Sequence, residues 1–239
     1  RWDKQSLDLL DITPSQLSEL VPPRAVFTSW RPGIPEGIGL PRGTPLVVGG
    51  GDGPLANLGA GALDAQTLAV NVGTSAAARA VMREARVDPH DRLWTYVIDD
   101  GLWVMGGIVS SGGIVYDWFL QSCLAANASS SEANESLASA VPPGADNLLF
   151  VPYLAGEQCP GWQPHTRGAF FGLDLGHSQG HLLRAVLEGI ARSICRVAVS
   201  IEATLDRHDG TKATSADVVM EADRTARTVA TEIVAALTP

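Results

Sequence analysis

Residues 46–75, LVVGGGDGPLANLGAGALDAQTLAVNVGTS, constrain the fold of this chain more than any other stretch. Leu46, Val47 and Val48 predict a buried strand, and the Gly49-Gly50-Gly51 run after it lets the backbone turn sharply without a Cβ clash. Asp52 falls on that turn. Pro54 suits the first turn of a helix, Leu55 and Leu58 follow at helical spacing, and Gly59 and Gly61 allow close packing near its end. A second strand, predicted over 67–72, runs directly into Gly73, Thr74 and Ser75. Two strands thus each end in a glycine-containing turn, one carrying a carboxylate, the other carrying hydroxyls and backbone N–H groups.

Such a pair of turns suits phosphoryl transfer. A carboxylate can take the proton of an attacking hydroxyl, and a Gly-Thr-Ser turn can offer N–H and O–H donors to phosphate oxygens. Plainer readings stay open beside it. Asp52 before Gly53-Pro54 also fits a helix N-cap, and Gly-Thr-Ser occurs in ordinary turns.

The net charge of -9 argues against nucleic acid as a partner, because no basic surface dominates the field, but it leaves room for a phosphorylated ligand held by local donors. With 45% hydrophobic and 18% charged residues among 239, the chain reads as globular, with enough length to bury a core. No apolar run of about 18 residues predicts a membrane span. Cys123, Cys159 and Cys195 are widely spaced and outside any CxxC or Cys/His ligand pattern, which predicts reduced, mostly buried thiols of a cytoplasmic protein. The first residue is Arg1, so the chain is expected to be part of something longer.

Along the chain, residues 2–20 predict a helix with an apolar face and a second helix opened by Thr13-Pro14, while 24–44, rich in glycine and proline, predicts a loop or irregular hairpin. A strand is predicted over 76–82, then a hairpin of 95–99 and 102–109 turned by Asp100-Gly101. Arg79, Arg83 and Arg86 read more simply as a solvated basic edge than as an anion site. Gly112 and Gly113 open a helix reaching to about 124, where glycines admit either a close phosphate or a tightly packed backbone. Residues 148–151 are expected to return to the sheet, and 153–171 to form an ordered loop in which Glu157 pairs with Arg167. His165 and His177 read as surface residues, and no metal-ligand cluster emerges. Ser178 caps a long amphipathic helix running to about 205, with Glu188 most simply exposed. Over 209–239 a short strand at 218–220 and a helix over 223–237 are predicted.

Taken in order, GGGDGPLANLGAG, VNVGTSA, GGIVSSGGIVYDWF, FVPYLAGEQCPGWQPHTRGAFFGL and HLLRAVLEGIARSI resemble the C-terminal half of an FGGY-type carbohydrate kinase of the gluconate- or xylulose-kinase kind. The most specific piece is 168–188. Gly168, Phe170, Gly172, Leu173, His181, Leu182, Ala185 and Glu188 fill the places of the family's second signature, and the whole resemblance covers residues 2–205.

The resemblance implies an α/β fold: a lobe of the actin-like ATPase (ribonuclease H-like) type, a mixed sheet flanked by helices. Residues 1–44 would be a helical and loop segment from the junction between lobes, and 45–239 the C-terminal kinase domain, with a divergent tail at 209–239. The implied activity is ATP-dependent phosphorylation of a sugar or sugar-acid hydroxyl, with Asp52 as catalytic base. Gly73, Thr74 and Ser75 would hold ATP phosphates, Gly112 and Gly113 would lie near the nucleotide, and Mg2+ would be held largely by phosphates and water. A homodimer is compatible with this reading.

Two features depart from the family. The N-terminal lobe, which in the family brings the first phosphate loop, a metal-associated aspartate and most sugar contacts, is expected to be absent from this chain. Residues 209–216, DGTKATSA, carry one glycine where the family has a glycine pair before its adenosine-binding helix. The competing function is therefore a non-catalytic remnant that binds nucleotide weakly or acts only as an interaction module. A dinucleotide-binding dehydrogenase is a distant third, since Pro54 occupies the place of that fingerprint's third glycine and no GK[ST] occurs.

Overall fold

The computed structural model describes residues 2–29, 37–41, 43–124 and 130–206; the strand and helix expected over 209–239 lie outside these residues. Helix α1 (Lys4–Leu10) starts where the Asp3 carboxylate accepts the Ser6 N–H and stops at Asp11, whose φ of 52° ends the helical path. It buries none of its residues, and Leu9 and Leu10 are exposed. At Thr13-Pro14 the expected second helix is a single turn, Pro14–Gln16, closed by a capping box between Thr13 and Gln16. Strands β1 (Val26–Phe27) and β2 (Leu46–Val47) pair antiparallel, Val26 with Val47 and Phe27 with Leu46. Leu46, Val47 and Val48, expected to be buried, are exposed: the one described strand beside β2 is β1, itself exposed.

Helix α2 (Asp52–Gly59) leads to β3 (Ala69–Val72), β4 (Ala76–Met82), β5 (Trp94–Asp99) and β6 (Leu102–Val109), which form one antiparallel sheet in the order β3-β4-β6-β5. Every residue of β4 is buried, because side chains alternate between two covered faces. Ala76, Ala78, Ala80 and Met82 pack with Met105, Val109 and Cys159 against Val197, Ile201 and Leu205. On the opposite face Val81 joins Ile98 and Val104, and Arg79 lies under the start of α2.

Helix α3 (Gly113–Cys123), helix α4 (Ser131–Ser139) and the antiparallel pair β7 (Leu149–Val151) and β8 (Ala169–Phe171) build a second core. Among the described residues β7 pairs with β8 and not with the four-stranded sheet it was expected to rejoin. Helix α5 (Gln179–Asp206) serves both cores: Leu183, Val186 and Ile190 belong to the second, Val197, Ile201 and Leu205 to the first, and Ile194 touches both. Its 3.6-residue apolar period keeps one stripe facing inward over 28 residues. Each such side chain contributes roughly 1.5–3 kcal/mol when fully buried. The α/β fold expected from the sequence, sheets flanked by helices, is the one observed. No described helix is long and apolar enough to cross a membrane.

Candidate active site

Asp52 stands at the first position of α2, and the residue that caps the helix is Gly51, at φ -63° and ψ 148°. The plainer reading of Asp52 as N-cap is thus not what the backbone adopts. The triple glycine explains the shift. Gly49 takes φ +73°, a left-handed conformation that side chains disfavour, and this swings the chain into the helix. Asp52 is exposed, and its Oδ1 accepts the Gly53 N–H at 2.7 Å. Its Oδ2 has no hydrogen-bond partner among the described residues.

The second expected site, Gly73, Thr74 and Ser75, is the exposed turn between β3 and β4, closed by the Gly73 N–H to the Ser75 carbonyl at 2.8 Å. Gly112 and Gly113 lie directly against it. The Gly113 N–H donates to the Gly73 carbonyl at 2.6 Å and the Ile114 N–H to the Thr74 carbonyl at 3.2 Å. A Cβ on Gly112 would stand 2.5 Å from the Ser75 carbonyl carbon and 2.7 Å from the Gly73 oxygen; one on Gly113 would stand 2.9 Å from that oxygen. These two glycines let α3 pack its start onto the turn, and that contact consumes N–H groups which a helix start otherwise offers to an anion. The Thr74 and Ser75 hydroxyls, by contrast, have no hydrogen-bond partner among the described residues. The open donors at this end of the sheet are therefore those hydroxyls more than the head of α3.

Arg79 is where a plain reading of the sequence goes astray. Expected on a solvated edge, it is 9% exposed at the middle of β4. Its Nη1 donates to Asn71 Oδ1 at 2.8 Å, and the guanidinium carbon lies 5.7 Å from the centre of the Trp94 ring. A Cβ on Gly53 would meet Nη2, Nε and Cζ at 3.1–3.3 Å, so the guanidinium lies where a side chain on the residue after Asp52 would go. Asn57, fully buried one turn along α2, donates its Nδ2 to the Arg79 carbonyl at 3.3 Å. Burial pushes the Arg79 guanidinium down from its ordinary value, and the Asp52 charge acts in the opposite direction. The sequence signal that could have found it is Gly106 on β6: a Cβ there would stand 2.8 Å from Arg79 Cγ, so the glycine opens the slot the arginine fills. Arg86, also assigned to the basic edge, donates to the Leu205 carbonyl at 2.8 Å, whereas Arg83 is exposed.

Other charged groups turn out to be structural. Glu157 pairs with Arg196 and Tyr153, not with Arg167, which donates instead to the carbonyls of Pro164 and Thr166. Glu188 is not simply exposed: it accepts the Gly144 N–H at 2.9 Å and pairs with Arg184 and Arg192. His177 is largely buried beside Asp174, and His181 accepts the Ser178 N–H at 3.1 Å at the head of α5, while His165 is exposed. Among the described residues no group of His, Cys, Asp and Glu side chains could hold a metal ion. The contacts described tie Asp52 to the sheet through Arg79 and Asn57, and none joins Asp52 to the Gly73–Ser75 turn.

A model of the FGGY family of carbohydrate kinases, C-terminal domain, matches residues 68–220, and one of the same family's N-terminal domain matches residues 1–59. Asp52 falls in the second match, the two glycine turns at 73–75 and 112–113 in the first. A gluconokinase of Bacillus subtilis is 37% identical over 213 residues, covering 86% of this chain and 42% of the relative. A xylulose kinase of the same organism is 29% identical over 195 residues, covering 81% and 38%. Among solved structures, a xylulose kinase from Lactobacillus acidophilus superposes with TM-score 0.79 at 33% identity, covering 84% of this chain and 41% of that one. A gluconate kinase from the same organism gives 0.78 at 34%, covering 84% and 40%. The chain spans about two fifths of the length of these relatives.

Proposed function

Because the chain belongs to the FGGY family of carbohydrate kinases, we propose that it carries the base and a phosphate-holding turn of an ATP-dependent kinase acting on a hydroxyl of a sugar or sugar acid, gluconate or xylulose being the acceptors to test first. The observation that supports this most directly is the state of Asp52: at the head of α2, outside the N-cap position, exposed, with one carboxylate oxygen unpartnered among the described residues. Such a carboxylate is available to accept a proton from an acceptor hydroxyl.

ATP with its magnesium ion supplies the transferable phosphoryl group when bound. The Thr74 and Ser75 hydroxyls are the donors that fit its phosphate oxygens, and Gly112 and Gly113 keep the turn that carries them in place by admitting α3 at contact distance. Little else is demanded of the protein, since phosphoryl transfer depends on positioning and charge neutralisation with one group to receive a proton.

The test is calorimetric titration with ATP and magnesium alongside a coupled assay for phosphorylation of gluconate and xylulose, on the chain and its Asp52→Asn form. The expected result is ATP binding in both and turnover reduced at least 100-fold by the substitution. Full turnover in Asp52→Asn would remove Asp52 from the role of base. Neither binding nor turnover in the unsubstituted chain would favour the interaction-module reading.

A further inference from the structure

We infer that Arg79 is a positioning residue for Asp52: the guanidinium forms the platform on which the Gly51–Gly53 turn rests, and it acts on the reaction only through the carboxylate that this turn carries. This rests on the reading of Asp52 as base.

Four observations converge on it. A cation is buried to 9% exposure in the middle of a sheet, with no direct ion pair among the described residues. Burying a charge in this way is costly unless something compensates it, and here the compensation is incomplete, because the Nε donor is buried without a partner among the described residues. The guanidinium closes over the backbone next to Asp52: a Cβ on Gly53 would stand 3.1–3.3 Å from Nη2, Nε and Cζ, so the glycine leaves just the room that the guanidinium takes. A second tie runs from the same residue to the same helix, through the Asn57 amide on the Arg79 carbonyl. Finally, the surroundings are shaped for this side chain. Asn71 accepts from Nη1, Trp94 lies beside the guanidinium, and Gly106 supplies the space. Facing it from β3, β5, β6 and α2 are Asn71, Trp94, Gly106 and Gly53, and among the described residues the charge that acts on it is that of Asp52.

A residue retained purely for stability would not be built like this. Replacing a buried, imperfectly partnered cation by an apolar side chain of similar volume is often neutral or stabilising. Arg79→Met should therefore leave the unfolding midpoint unchanged or raise it. Positioning, by contrast, is sensitive to small displacements, and a shift of about 1 Å near the reacting groups can cost on the order of 100-fold in rate.

The experiment compares unsubstituted chain, Arg79→Met, Arg79→Lys, Asp52→Asn and the Asp52→Asn/Arg79→Met pair. It reads kcat, KM for ATP, urea midpoint and, by NMR, hydrogen exchange of the Gly53 amide, which donates to Asp52. Expected are a drop of roughly 10- to 100-fold in kcat for Arg79→Met with KM for ATP within about twofold, partial recovery in Arg79→Lys, and no further loss when Arg79→Met is added to Asp52→Asn. Gly53 exchange should quicken at least tenfold while the Gly73–Ser75 turn is unaffected. An equal loss in both backgrounds, or a lowered urea midpoint with unchanged Gly53 exchange, overturns the inference. Turnover that survives Asp52→Asn instead sinks the assignment of the base, and the exchange measurement still decides whether Arg79 orders the turn, with or without catalysis.

Discussion

At the residue scale, glycines set what can approach what. Gly112 and Gly59 make a useful contrast, since a Cβ on the first would collide with the backbone of the 73–75 turn at 2.5 Å while one on the second meets nothing within 4 Å. Gly112→Ala should accordingly cost about 1–3 kcal/mol through overpacking and displace Thr74 and Ser75 enough to abolish the calorimetric signal for ATP. Gly59→Ala, at the end of α2, should be neutral or slightly stabilising because alanine restricts the unfolded chain. Urea unfolding of the two proteins, with ATP titration of each, checks this. Equal effects would show that the close approach of α3 to the turn is not what the glycine is for. Arg79 belongs to the same argument seen from the other side. Its slot exists because Gly106 on the neighbouring strand has no side chain, and nothing local in AAARAVM announces that.

At the element scale, the connection between β4 and β5 is tied to the end of α5 by a buried acid. Asp88, 1% exposed, accepts from Arg92 Nε and Nη2 at 2.8 Å each, and Thr204 on α5 lies 3.1 Å from it. Burial alone would raise its pKa, but the hydrogen bonds from the Arg92 side chain and backbone, then from Thr204, outweigh that and hold the carboxyl far below the ordinary 3.8. A folded-state value below the unfolded one means that the stabilisation is fully present above about pH 4 and fades as pH falls through the range beneath it. Asp88→Asn should thus cost about 3 kcal/mol at neutral pH, where it leaves Arg92 without its counter-charge, and progressively less in acid. The gap between the urea midpoints of the two proteins should be narrower at pH 3 than at pH 7; a constant gap would contradict the assignment. Helix α5 was legible from its period alone, whereas the two cores it joins were not, because period reports that a face is apolar and says nothing of which elements cover it.

At the scale of the whole molecule, the four-stranded sheet is covered on both faces at its central strands β4 and β6, with Asp52 over one face and the Gly73–Ser75 turn at the start of β4. Ligand that binds only this folded form raises stability by mass action, about 2.7 kcal/mol at a hundred times the dissociation constant. ATP with magnesium should therefore raise the thermal midpoint of the chain, and of Asp52→Asn equally, but not of Gly112→Ala. A rise that persists in Gly112→Ala would place the nucleotide away from the 73–75 turn. What the sequence by itself determined is whatever short-range stereochemistry decides: the glycine turn before Asp52, the hairpins at 73–75 and 100–101, the length of α5, and the order of motifs that marks the family. What only the tertiary structure decided is which groups meet across long separations. That Arg79 is buried under Asp52, that α3 closes on the Gly73–Ser75 turn, and that Glu157 finds Arg196 in place of Arg167 each depend on contacts between segments tens of residues apart. The physical reason is that backbone preference is a property of a few neighbouring residues, whereas burial and charge pairing depend on the space that distant parts of the chain leave for one another.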